Sequence, residues 1–148
     1  MDMTLAYIVN AKTSETTRYS NFNFDHVLKF KGKYYGVAAG GVYLLEGADD
    51  IGTQIDARFR TAKNDFGTAH LKRVPYLFID TDSDTMITPH VDDVQYPSYP
   101  SNYEGKRTKI GRGIKGRYWG FEFSNVSGAS MRVNSAEFEP EVLSRKLG

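Results

Sequence analysis

No stretch of this chain long enough for a helix repeats its apolar residues every three or four positions, whereas several short stretches alternate them strictly. In residues 55–61, Ile55, Ala57 and Phe59 share one parity and Asp56, Arg58 and Arg60 the other. In residues 136–142, Ala136 and Phe138 alternate in the same way with Glu137 and Glu139. A period of two is the signature of a strand with one buried face. Ten Tyr, nine Phe and one Trp set among fourteen Gly point the same way, because aromatic side chains suit pleated surfaces and glycine suits tight turns. The expected fold is all-β, a single domain over residues 1–148. It would be an antiparallel β-sandwich or curled meander sheet of about eight to ten short strands with glycine-rich turns.

Along the chain, an opening strand over residues 5–9 is followed by a polar loop over residues 10–20, able to pair weakly at its end. Residues 26–31 and 34–39 form a hairpin about Lys31-Gly32-Lys33, and Gly40-Gly41 turns the chain into a third strand over residues 42–46. The stretch "VPYLFID", residues 74–80, reads as a central strand with Pro75 at its first position. Its partner would be residues 85–88 across the turn "DSD". Pro97 and Pro100 follow tyrosines, with Pro89 upstream, so residues 92–104 read as an exposed connector or arm. Strands over residues 129–133 and 136–142 close the chain.

Nineteen basic and eighteen acidic side chains leave a formal charge of +1, which lacks the electrostatic footprint of a nucleic-acid binder. No apolar run approaches a membrane-spanning length, so no membrane partner is expected. The absence of Cys excludes disulfides, thiolate chemistry and cysteine-ligated zinc.

The stretch "IGRGIKGRYWGFEF", residues 110–123, spaces Gly111, Gly113 and Gly116 as a dinucleotide loop would. Such a loop must open a helix whose amino terminus meets the pyrophosphate, and the aromatic alternation after Arg117 is strand instead. No cofactor is expected. Parity gives the glycines another task. Ile110 and Ile114 are even, while Trp119, Phe121 and Phe123 are odd, so one unbroken strand would send the two apolar sets to opposite faces. A bulge or bend between Ile114 and Trp119, at Gly116 with positive φ, would reunite them.

Lys106, Arg107, Lys109, Arg112, Lys115 and Arg117 place six cations in twelve positions beside Tyr118 and Trp119. A phosphate-gripping, base-stacking surface is one use of such a run, and an interface rim facing acidic partner surface is the preferred one. "DTDSD" sets Asp80, Asp82 and Asp84 at alternate positions like the start of a calcium loop. The glycine and glutamate that loop requires are replaced by Thr85 and Val91. His26, His70 and His90 have no metal-ligand spacing, and the adjacent Asp49 and Asp50 read as a turn. No catalytic signature is present, so a non-enzymatic role is expected.

The run "SNFNFDHVLKFKGKYYGVAAGGVYLLEGADDIGTQIDARFRT", followed by "FGTAHLKRVPYLFI" and "GRGIKGRYWGFEFSNVSGASMRVNSAEFEPEVLSRK", resembles a family of small virion proteins encoded among the tail genes of tailed bacteriophages. The resemblance covers nearly the whole chain. Its most specific parts are "YLLEG" with "D-x-G-x-x-I-x-A-R" at Asp50 to Arg58, and "GRG…RYW" leading to "S-x-E-F-x-P" at Ser135 to Pro140. The family pattern has a larger residue where this chain has Gly116, which would move the bend to Gly111 or Gly113. The resemblance implies a structural part of the tail or baseplate, made in the host cytoplasm and carried in the virion, with no catalytic or cofactor residues. Its partners would be other tail proteins and further copies in a homo-oligomeric ring. On that reading Tyr96, Tyr99 and Tyr103 belong to an arm gripping a neighbour, and Arg112, Arg117 and Tyr118 are interface anchors. The alternative is a receptor- or glycan-binding module at the tail tip, with aromatic residues around Trp119 stacking on sugar rings. A cell-wall hydrolase is a more distant third.

Overall fold

The computed structural model describes residues 5–47, 49–50, 52–101 and 107–143, and among these it contains strands, bridges and turns and no helix. The fold is all-β, as the alternation requires, with several antiparallel sheets and no barrel. The chain divides into two compact units, Met1–Gly47 and Ala48–Gly148, where the sequence suggested one body.

In the first unit, β1 (Leu5–Val9) pairs with β2 (Thr16–Ser20) in an antiparallel hairpin. The polar segment between them is tied by Asn10, whose side-chain oxygen accepts from the Lys12 amide at 3.0 Å. A meander follows in β3 (His26–Phe30), β4 (Lys33–Ala38) and β5 (Gly41–Leu44), close to the expected bounds. Lys31 and Gly32 connect β3 to β4 with φ of +47° and +84°, the left-handed pair that a two-residue hairpin turn requires. Phe24 lies against Gly36, the one position of β4 that is fully buried, where any added Cβ would strike its ring. Phe24 also meets Phe22 edge-on at 5.0 Å and Tyr43 at 5.8 Å. This aromatic chain is the interior of the unit.

The second unit opens with the short hairpin β6 (Asp49–Asp50) and β7 (Thr53–Gln54), followed by β8 (Arg58–Arg60) and β9 (Lys72–Arg73). Then come β10 (Tyr76–Thr81), β11 (Thr85–Val91), β12 (Val94–Gln95), β13 (Tyr99–Pro100) and β14 (Arg107–Lys109). The last three are β15 (Trp119–Asn125), β16 (Val133–Phe138) and β17 (Glu141–Val142). One sheet has the order β14-β10-β16; another runs β12-β11-β15-β8, with β13 also on β11, and β17 pairs with β9. Leu77 and Ile79 from the first sheet meet Ile87, Val91, Phe121 and Phe123 from the second in one buried cluster. Burying side chains of this size contributes roughly 1.5–3 kcal/mol each, before the entropy of ordering them is subtracted.

Several expectations change here. Of residues 55–61 only Arg58–Arg60 is strand, and Ile55 and Phe59 are exposed where the alternation suggested a buried face. Of the two closing strands, residues 129–132 are not strand, β16 runs across the expected break, and β17 pairs separately with β9. The segments around "DSD" do not form a hairpin with each other. β10 has β14 and β16 at its two edges, and β11 has β15 at one and β12 with β13 at the other, so no edge of either is left. The turn instead carries the chain from one sheet to the next, with the Thr81 and Thr85 hydroxyls 3.2 Å apart at the crossing. Residues 94–101 are not a free arm either. The Tyr96 amide donates to Pro89 O at 2.9 Å and the Ser101 amide to Thr85 O at 2.7 Å. The open edge of β11 needs partners for its backbone groups, and this segment supplies them.

Candidate functional site

The sequence-selected residues converge on the loop between β14 and β15, and its conformation follows from what its glycines exclude. Ile110 and Ile114 reach the same core as Trp119, Phe121 and Phe123, which is the reunion that parity demanded. A whole irregular loop does it, with the strand starting only at Trp119. Positive φ plays no part at Gly111, Gly113 or Gly116. Gly116 is required for space: an added Cβ would run into Val91 Cγ1 and lie 2.8 Å from the Asp92 carboxylate. Gly111 is hemmed in by the Tyr99 hydroxyl, whereas Gly113 faces nothing within 4 Å.

The loop backbone is pinned from three directions. Asp92 stands in a left-handed turn with φ of +47°. Its carboxylate accepts from the Arg117 amide at 3.0 Å and the Tyr118 amide at 2.9 Å. Gly116 exchanges both backbone bonds with Lys72 at 3.0 Å, and the Trp119 indole N–H donates to Gly116 O at 3.2 Å. Lys72 is fully buried, and its Nζ donates to Thr68 O at 2.8 Å and Arg117 O at 2.7 Å. A buried ammonium is tolerated when carbonyl oxygens replace its water, and here it clamps two loops together. Nothing in the sequence pattern marked Lys72 for this position.

With its backbone tied from Gly116 to Trp119, the loop presents Arg117 and Tyr118 to solvent on a held support, with Arg112 exposed one turn earlier, Tyr118 being 47 % exposed. A held backbone beneath exposed Arg and Tyr suits an interface anchor, since the loop itself has little freedom to lose on contact. Tyr96 and Tyr99, by contrast, pack against the core, and Tyr103 lies outside the described residues. Trp119 itself is 1 % exposed, and Tyr118 is the exposed aromatic side chain beside it. Arg107 lies with its guanidinium carbon 3.7 Å from the centre of the Tyr76 ring. The Arg112 guanidinium at the Tyr76 hydroxyl, and Arg107 beside it, hold that phenol below its ordinary pKa.

The other motifs remain apart from this loop. Asp82 reaches Asn134 at 3.4 Å and Arg132 at 4.0 Å, and no group of three acidic or histidine side chains converges on an ion position among the described residues. On the outer face of β8, β11 and β15, His90 stands between Arg60, 3.4 Å from its Nδ1, and Glu122, 3.8 Å from its Nε2. Thr88 and Ser98 share a hydroxyl bond of 2.7 Å beside them. Among the described residues no nucleophile stands against the imidazole.

No protein family, curated protein or solved structure matches the chain, so the roles assigned to its residues rest on this geometry and on the sequence itself.

Proposed function

We propose that the protein is a non-enzymatic structural component that works through protein–protein interfaces, and that the particle it joins is a bacteriophage tail, at its tip or baseplate. One observation carries the first half. Of the seventeen large hydrophobic side chains left exposed among the described residues, eleven lie between Leu5 and Leu44. All five residues of β3 are exposed, as are four of the five in β1. Isolated exposed apolar residues are ordinary, but this concentration in two small sheets is the pattern of a surface awaiting a partner. A unit whose interior is a row of three aromatic rings, Phe22, Phe24 and Tyr43, buries too little to offset the ordering of its backbone, so a neighbour that covers it adds the missing burial. The tail assignment is supported by the sequence resemblance. Its partners would be other tail proteins and further copies of itself.

The test is to fractionate the source lysate on a density gradient and follow peptides of this chain by mass spectrometry beside a particle marker. Co-sedimentation with intact particles at a fixed, low stoichiometry is expected. Recovery only at the top of the gradient would refute the virion role.

A further inference from the structure

The sheet β14-β10-β16 carries its charge in columns. Its inner face supplies Leu77 and Ile79 to the core; its outer face is set by the opposite parity. On β14 the outward residues are Arg107 and Lys109, both exposed. They stand opposite Phe78 and Tyr76 of β10, which are half-buried. On β16 the residue opposite Phe78 is Glu137, also exposed. One row across the sheet therefore reads cation, aromatic, carboxylate, with the two charges two strand spacings, about 10 Å, apart. Neither Arg107 nor Lys109 nor Glu137 is paired with an opposite charge among the described residues.

We propose that this face is a self-complementary interface that binds a second copy of the same chain about a two-fold axis running along β10. Rotation about an axis in that direction carries the β14 column of one copy over the β16 column of the other. Arg107 then meets Glu137 twice, and Tyr76 and Phe78 of both copies meet at the centre. A two-fold across the strands would set cation on cation and is excluded by charge. Sheets pack face to face about 10 Å apart, and long Arg and Glu side chains bridge that gap from both sides. The aromatic centre favours face contact over edge contact, because the face gives Phe78 a partner, while Tyr76 already carries the Arg107 guanidinium on its ring and Arg107 turns from it to Glu137 of the second copy. Asp80, the next outward residue of β10, would face its own copy, so the contact is confined to the rows of Tyr76 and Phe78, with Asp80 at the wet rim.

The inference takes from the assembly reading only that the chain works by surfaces. A chain that self-associates but never enters particles would refute that reading and leave this one standing. The experiment is sedimentation velocity on the full chain over a range of concentrations and salt. The wild type should pass reversibly from monomer to dimer and weaken as salt rises. Glu137→Arg and Arg107→Glu, each alone, should reduce association at least about tenfold, since like charges meet twice in each homodimer. An equimolar mixture of the two variants should restore a dimer, as should the doubly exchanged chain. Asp80→Asn should tighten it. Should either reversed chain lose its native circular dichroism, Glu137→Gln is the milder probe, expected to weaken the dimer without repulsion. A wild type that stays monomeric, reversals without effect, a mixture no better than its parts, or growth beyond a dimer would each overturn the proposal.

Discussion

Single residues here act mainly through the space they leave. Gly116→Ala would push a methyl group into Val91 and the Asp92 carboxylate, and both are held, Val91 by the core and Asp92 by two loop amides. The expected loss is about 1–3 kcal/mol, the usual cost of overpacking. Gly113→Ala, with open space around it and no positive φ, should stay within about 0.5 kcal/mol of the parent. Urea unfolding of the two variants side by side reads the difference. Equal losses would mean that the glycines matter for chain flexibility and not for packing. Tyr76 offers a second residue-scale test. Its phenol titrates below the ordinary value because Arg112 and Arg107 favour the phenolate, so Arg112→Ala should move the titration upward, seen in the phenolate absorbance. A depressed phenol pKa stabilises the fold in full above the unfolded value, about pH 10, and the benefit is lost as pH falls from there through the depressed value. Stability at neutral pH should therefore not respond through this titration.

At the scale of elements, the difference between what was legible and what was not has a physical origin. The meander β3-β4-β5 could be read because its turn chemistry is local: Gly32 and Lys31 must adopt left-handed conformations whatever the rest of the chain does. The alternation of β16 was legible for the same reason, and Phe138 does pack inward while Glu137 points out. The separation of β10 from β11 was not, since a hairpin and a crossing between sheets show the same alternation on both sides of the turn. What decides between them is the competition of β14, β15 and β16 for strand edges, which no local window contains. In the candidate site, the need to bring Ile110 and Trp119 together was readable from parity, but Lys72, Asp92 and Val91 come from distant stretches and left no signal there. The proline-rich segment is largely exposed, as expected, but its docking on β11 was not legible because prolines describe how the chain runs and not what it touches. Tyr99 belongs to the core's edge, so Tyr99→Ala should cost about 2–4 kcal/mol, in the range of large-to-small core changes. Tyr118→Ala, on an exposed side chain, should cost less than about 0.5 kcal/mol. Thermal melts that rank these two in the opposite order would restore the free arm.

For the molecule as a whole, the two units divide their burdens unequally. The second holds the buried cluster of Trp119, Phe121, Phe123 and the aliphatic residues around them, and its loops are tied by side-chain bonds to backbone. The first keeps most of its large apolar side chains in solvent. A side chain already in water contributes almost nothing to stability, so replacing it should leave folding intact while removing whatever it does for association. Tyr7 and Val42, at 64 % and 66 % exposure, are the clearest cases. The double variant Tyr7→Ser, Val42→Lys should unfold within about 1 kcal/mol of the parent, bind less of a dye that reports exposed apolar surface, and fail to co-sediment with particles. The opposite pattern, a large loss of stability with particle entry unchanged, would mean that this surface serves the chain's own fold, and the assembly reading would then lose the observation that carries it.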